Sequence, residues 1–173
     1  MACLATKGRK KGCKDGVGGL LEFYVINTLP AADVTKDADG VITAVANTPT
    51  AYKYELRADA EFIDSIKTDK QAGTTFYEAT MSAALHSLDA STHKELKLLA
   101  YGSPKIAVKT NSGKLLLMGE TRGCDMTVGD IKVGKAMGDF QGYEITFVSQ
   151  EPSYAPFFDD DLAAVGFTVV AGV

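Results

Sequence analysis

Residues 51–67 read AYKYELRADAEFIDSIK, and no other stretch narrows the possible folds as much. Between positions 52 and 62, Tyr52, Tyr54, Leu56, Ala58, Ala60 and Phe62 alternate with Lys53, Glu55, Arg57, Asp59 and Glu61. Period-two alternation describes an extended chain with one dry face and one wet face. Continued through Ile66, such a strand would extend ~50 Å at ~3.3 Å per residue. A chain of 173 residues folded as one domain has a radius of gyration of ~16 Å and a diameter of about 40 Å. A straight strand of that length outgrows its own globule, so it predicts strand edges covered by another chain. The opposing expectation is that the apolar face packs inside one molecule, with bulges bending the strands into two sheets.

The flanking segments place this stretch in a mainly β fold. A turn signal at 68–73 (TDKQAG) leads to TTFYEATMSAALHSL at 74–88, where Tyr77, Ala79, Met81, Ala83 and Leu85 share one face and Glu78, Thr80, Ser82 and His86 the other. Two such runs joined by a short polar loop predict an antiparallel hairpin over 52–88. GGLLEFYVINT at 18–28 reads as a largely buried first strand, and VITAVANT at 41–48 as a second. Further strands are expected at PKIAVKT, at KLLLMGET, in a glycine-rich segment near 130–138 and at GYEITFVS. One helix is expected over 92–101. Thr92 and Glu95 have capping-box spacing, Leu96, Leu99 and Ala100 form its stripe, and Gly102 and Pro104 end it. The expected fold is a single-domain β-sandwich or open barrel with a long projecting β-hairpin and one flanking α-helix.

Charge is unevenly distributed. Lys7, Arg9, Lys10, Lys11 and Lys14 give the glycine-containing arm at 1–17 a basic character, with no acid in residues 1–14, leaving 13 basic against 22 acidic residues after residue 14. So acidic a body argues against generic nucleic-acid binding, whereas the arm suits phosphate or an acidic neighbour. Cys3, Cys13 and Cys124 have no framework spacing, which argues against a disulfide scaffold and for folding in a reducing cytosol. No signal peptide is expected, and the apolar run at 162–173 is too short to span a bilayer.

Motifs with the outline of chemical sites are incomplete. GDIKVGKA at 129–136 lacks the final hydroxyl of a P-loop, and Gly138 and Gly142 would interrupt the helix such a loop needs. DVTKDADG has Asp37, Asp39 and Gly40 in a calcium-hand register, but Thr35 and Ala46 stand where carboxylates are required. Asp159, Asp160 and Asp161 read as a solvated loop. His86 and His93 have no zinc spacing to cysteine and read as exposed structural residues. No catalytic, cofactor or metal residue is expected, so the chain does not read as an enzyme.

The ends GRKKGCKDGVGGLLEFYVIN (8–27) and GDFQGYEITFVSQEPSYAPFF (138–158) resemble segments of tail-tube or tail- and neck-ring proteins of tailed bacteriophages, in particular those of Bacteroidetes-like hosts. The order of elements between them is similar to that of the same superfamily. The resemblance implies a virion structural protein, assembled in the host cytoplasm as a homo-oligomeric ring, hexameric or larger, that joins other tail or neck proteins. It also implies that DNA passes transiently through the ring, with no cofactor and no membrane. On this reading Phe62, Ile63, Ile66, Phe76 and Tyr77 are subunit-interface residues, and Glu55, Asp59, Glu61 and Glu78 face the lumen. The arm at 1–17 and the C-terminal segment at 159–173 would order on assembly. The alternative is a monomeric β-sandwich binding module, such as a capsid decoration or carbohydrate-binding protein. A third, weaker reading is a small hydrolase built on Cys13 or Cys124 and a histidine.

Overall fold

A computed structural model describes residues 7–12, 14, 16–57 and 59–172. In chain order its strands are β1 (Leu20–Ile26), β2 (Val34–Lys36), β3 (Ile42–Val45), β4 (Thr50–Glu55), β5 (Ala60–Asp69), β6 (Thr74–His86), β7 (Lys105–Thr110), β8 (Leu115–Met118), β9 (Asp125–Lys132), β10 (Gly142–Glu151) and β11 (Thr168–Val170). Helices α1 (Ala90–Leu99) and α2 (Leu162–Val165) complete the set, with a 3-10 turn at Ala31–Asp33.

The fold is a β-sandwich with one flanking helix. One sheet has the order β11-β4-β1-β7-β8, the second β5-β6-β10-β9, and β2-β3 form a separate hairpin. Between the two main sheets lies a core containing Phe23, Val25, Ile106, Val108 and Met118 from one and Met81, Leu85, Ile145 and Phe147 from the other. Leu96 and Leu99 of α1 close this core. On the far side of the five-stranded sheet, Tyr24, Ile26, Ala51, Ala107 and Leu117 pack against Ile42, Phe158, Leu162, Val165 and Phe167. Central β1 is therefore buried on both faces, which is why LLEFYVI is apolar at successive positions instead of alternating. Fully burying a side chain such as Phe23 or Phe147, both 0% exposed, stabilises the fold by ~1.5–3 kcal/mol.

The ribbon at 52–66 is two strands, not one. β4 pairs with β1 in the first sheet and β5 with β6 in the second. The chain crosses between them at residues 56–59, where Leu56 N–H donates to the Leu21 carbonyl (3.2 Å) and Asp59 adopts φ 57°. Aspartate is among the few residues that tolerate this left-handed conformation. Tyr54, Leu56, Ala60 and Phe62 all pack against the same inter-sheet core. Alternation continues through the corner because both sheets turn one face to a shared interior, so the pattern gives no sign that the strand ends. The hairpin is accordingly β5–β6, residues 60–86, rather than 52–88, and the length argument for an intermolecular barrel does not hold.

Other local expectations change as well. The cap of α1 is Asp89, whose Oδ2 accepts hydrogen bonds from Ser91 N–H (3.0 Å) and Thr92 N–H (3.2 Å), so Thr92 lies inside the helix and not at its cap. Ala100 is exposed, leaving Leu96 and Leu99 as the buried stripe. The strand expected near 130–138 begins earlier, at Asp125. At the C-terminus, Leu162, Val165 and Phe167 are core residues within one chain, and β11 pairs in parallel with β4. Gly166 ends α2 at φ 117°, where a Cβ would lie 2.5 Å from the Val45 carbonyl oxygen; this close approach turns Phe167 into the core. The described part of the basic arm is exposed and has no regular structure.

Candidate functional site

The two main sheets treat their edges differently. In the five-stranded sheet, the β8 edge is covered by the segment around Pro156: Leu117 N–H donates to the Pro156 carbonyl and Phe158 N–H to that of Leu115. The opposite edge, β11, is three residues long. Covering an edge or keeping it short is how soluble proteins avoid unwanted strand pairing. The four-stranded sheet does neither. Its edges are β5, ten residues, and β9, eight residues, and neither pairs with a further strand among the described residues.

All neighbours in this sheet are antiparallel, so β5 and β9 run in opposite directions. Its inward face carries Phe62, Met81, Phe147 and Met126 in one row. The opposite face has no second sheet over it among the described residues, and is covered only at one end, where Ala84 is buried and Phe140 packs against His86. Across the strands, Glu61, Ser82, Thr146 and Val128 form one outward row, and Ala84, Glu144 and Asp130 another. The face carries six acids (Glu61, Asp69, Glu78, Asp125, Asp130 and Glu144) and two lysines. Lys67 pairs with Glu78 at 3.5 Å and Lys132 with Glu144 at 2.5 Å, so acid remains in excess.

The residues expected at an interface or lumen are divided by this geometry. Glu61 and Glu78 do share the outward face, with Ile63 and Phe76, which are 49% and 37% exposed. Glu55 belongs to the other sheet, in an ion pair with Lys53 (3.0 Å), and Asp59 sits in the crossing bend. Phe62 points inward against Met81. Ile66 and Tyr77 lie on the inward side beyond the main core, where Tyr77 meets Tyr154 with ring centroids 4.4 Å apart. The sequence reading missed the β9 edge and the outward residues Glu144, Thr146 and Val148 of β10. The register shift between Thr146 and Phe147 masks the period-two signal in DMTVGDIK.

The remaining chemical candidates are occupied by structure. In the P-loop-like segment, Gly129–Lys132 is extended strand, and the Asp139 carboxylate accepts hydrogen bonds from Lys135 N–H (2.7 Å) and Ala136 N–H (2.8 Å). Those amides, the kind a phosphate would need, are already taken by an internal anion whose pKa they lower. Asp37 Oδ1 likewise accepts from Asp39 N–H and Val41 N–H in a turn. Asp161 pairs with Lys109 at 2.9 Å. Among the described residues no group of three or more His, Cys, Asp or Glu is placed to hold a metal ion.

Cys124 is 0% exposed, and burial pushes its thiol up to about 12, which disfavours the nucleophilic thiolate. Cys13 lies outside the described residues. His86 packs edge-on against Phe140, and His93 faces Tyr143 with ring centroids 6.4 Å apart.

One buried charge has structural weight. Glu22, 6% exposed, accepts a hydrogen bond from the Tyr24 hydroxyl (2.6 Å) and pairs with Lys53 (2.8 Å) and Lys109 (3.5 Å). Burial alone would raise its pKa, but these three partners together hold it below the usual carboxylate value. No helix among the described residues is long and apolar enough to cross a membrane. Compared with protein-family models, with curated proteins and with solved structures, the chain matches none.

Proposed function

We propose that this chain is a structural subunit that joins copies of itself edge to edge into a ring or tube, in the manner of a tail-tube or neck-ring protein of a tailed phage. The observation that carries the reading is the pair of open, oppositely directed edges on the four-stranded sheet. Placing β9 of one copy against β5 of the next continues the antiparallel alternation. Repeating that head-to-tail contact closes a ring when the rotation per copy divides a full turn. Closure leaves no free edge in that sheet, which removes the aggregation hazard of two long exposed strands. The acid excess of the outward face suits the wall of a conduit, because it repels phosphate and lets DNA pass without adhering. In this arrangement Glu61, Glu78, Asp130 and Glu144 line the channel.

A monomeric binding module is the second reading. It is favoured by the crossing at residues 56–59, which lets one chain satisfy both of its cores without a partner. Light scattering on the purified protein over a range of concentrations, followed by negative-stain microscopy, separates the two. Rings or tubes with a central hole are expected. A monomer that persists at high concentration and in the presence of candidate tail initiators would sink the assembly reading. A dimer closed through two β5 edges would sink the ring.

A further inference from the structure

The inward face of β5 carries one acid, Asp64, in the sequence Ala60, Phe62, Asp64, Ile66. Asp64 pairs with Ala79 of β6, and Ala79 pairs with Ser149 of β10. The three residues form a row across the sheet, with a methyl group between a carboxyl and a hydroxyl. A cavity of about 10 Å³ lies over this row, roofed by Met118, Gly119 and Pro156.

Among the described residues, two polar atoms at the cavity make no hydrogen bond to an oxygen or nitrogen: Asp64 Oδ1, and Ser149 Oγ, which has only the buried Cys124 thiol, a weak donor, beside it. Ser149 is 3% exposed. The other oxygen of Asp64 is satisfied, because Oδ2 accepts a hydrogen bond from Ala155 N–H at 2.8 Å. Other acids at the cavity have partners of their own. Glu120 pairs with Lys36 at 2.7 Å, and Glu151 Oε1 accepts hydrogen bonds from Thr121 N–H and Arg122 N–H. Tyr77 and Tyr154 pack on each other near the opening.

We infer that this cavity is a binding site for a single internal water, which donates to Asp64 Oδ1 and exchanges a hydrogen bond with Ser149 Oγ across Ala79. Buried hydroxyl and carboxylate oxygens left unpaired are costly, and a space of roughly one water-sized sphere with two or more polar partners is what an internal water requires. Two oxygens are too few to replace the hydration shell of a metal cation, which takes six or more. The water makes Asp64 a cross-link. One carboxylate oxygen holds the segment after β10 through Ala155, the other holds β10 itself, and both fix the level of edge strand β5. The site does not depend on the ring reading, since every group belongs to one chain.

The test is a high-resolution crystal structure of the full chain, paired with oxygen-17 water relaxation dispersion on the wild type and on Ala79→Val, whose added methyl groups fill the cavity. The expected results are an ordered water within hydrogen-bonding distance of both oxygens and the loss of one long-lived water in the variant. A dry cavity in the wild-type structure, or an unchanged number of long-lived waters in a folded variant, would overturn the inference. So would a peak replaced by rubidium on soaking, which would make the occupant a cation. Ser149→Ala keeps the fold's volume with one oxygen removed, and serves if Ala79→Val does not fold: faster exchange or loss of the same water is expected, and an unchanged water count overturns the site.

Discussion

Ile63 and Ile66, three residues apart on β5, lie on opposite faces of the hairpin: Ile63 pairs with Thr80 on the outward face and Ile66 with Tyr77 on the inward one. Similar exposures, 49% and 47%, conceal different surroundings. Ile63→Asp places a carboxylate on the exposed outward face beside Thr80 and should change stability by less than about 0.5 kcal/mol. Aspartate at position 66 loses the contact with Tyr77 and stands near Asp64, and should cost about 1–2 kcal/mol. Urea denaturation of the two variants checks this, and equal losses would mean that the two faces are not distinguished.

The open edges predict a paired outcome for proline. Along an edge strand, backbone N–H groups alternate between the neighbouring strand and open space. Of Asp130→Pro and Ile131→Pro on β9, one therefore removes a bond to β10 and the other removes only an outward donor. The tolerated variant should remain folded by circular dichroism yet elute as a monomer under conditions where the wild type assembles. Unchanged assembly by both variants would exclude β9 as a subunit contact.

The buried pair Glu22–Lys53 predicts a stability that depends on pH. Glu22→Gln should cost about 1.5–3 kcal/mol at neutral pH, since the hydrogen bonds it weakens are charge-assisted and largely buried. The folded state holds the Glu22 carboxyl below its ordinary value of 4.5, so its contribution is complete above that value. It is lost as pH falls through the lowered folded value. Thermal midpoints of the two proteins should therefore converge in acid, and a constant difference down to pH ~2 would show that Glu22 acts through packing alone.

The identity of the α1 cap gives a direct comparison. Asp89→Ala removes the acceptor for two amides at the helix start, and the thermal midpoint should fall by roughly 2–4 °C. Thr92→Ala, inside the helix, should leave it nearly unchanged. The reverse order would restore the Thr92–Glu95 capping box.

Strand identity was largely legible where side-chain period reports burial directly. The alternation of Tyr77, Ala79, Met81, Ala83 and Leu85 foretold the inward face of β6, and LLEFYVI, apolar but for Glu22, foretold a largely buried strand. The corner at Leu56–Asp59 was not legible, because period two records which side is dry and says nothing about which sheet supplies the dryness. The candidate surface was half visible. Glu61 and Glu78 were placed on one face, but Glu55 ends β4 in the other sheet and Asp59 sits in the bend before β5.

Local chemistry in the chain, by itself, determined the β-rich class, the turns at Asp37–Gly40 and Asp69–Gly73, the single ten-residue helix and the absence of a complete P-loop or calcium-hand motif. Each depends on residues within a few positions of one another, where sterics and hydrogen-bonding reach act directly. Only the tertiary structure decided that one alternating ribbon serves two sheets, that Asp139 fills the would-be phosphate cradle, and that β5 and β9 have no further strand beside them among the described residues. Those outcomes depend on which distant strands meet, because an edge is defined by the neighbour a strand lacks, and no local pattern encodes that.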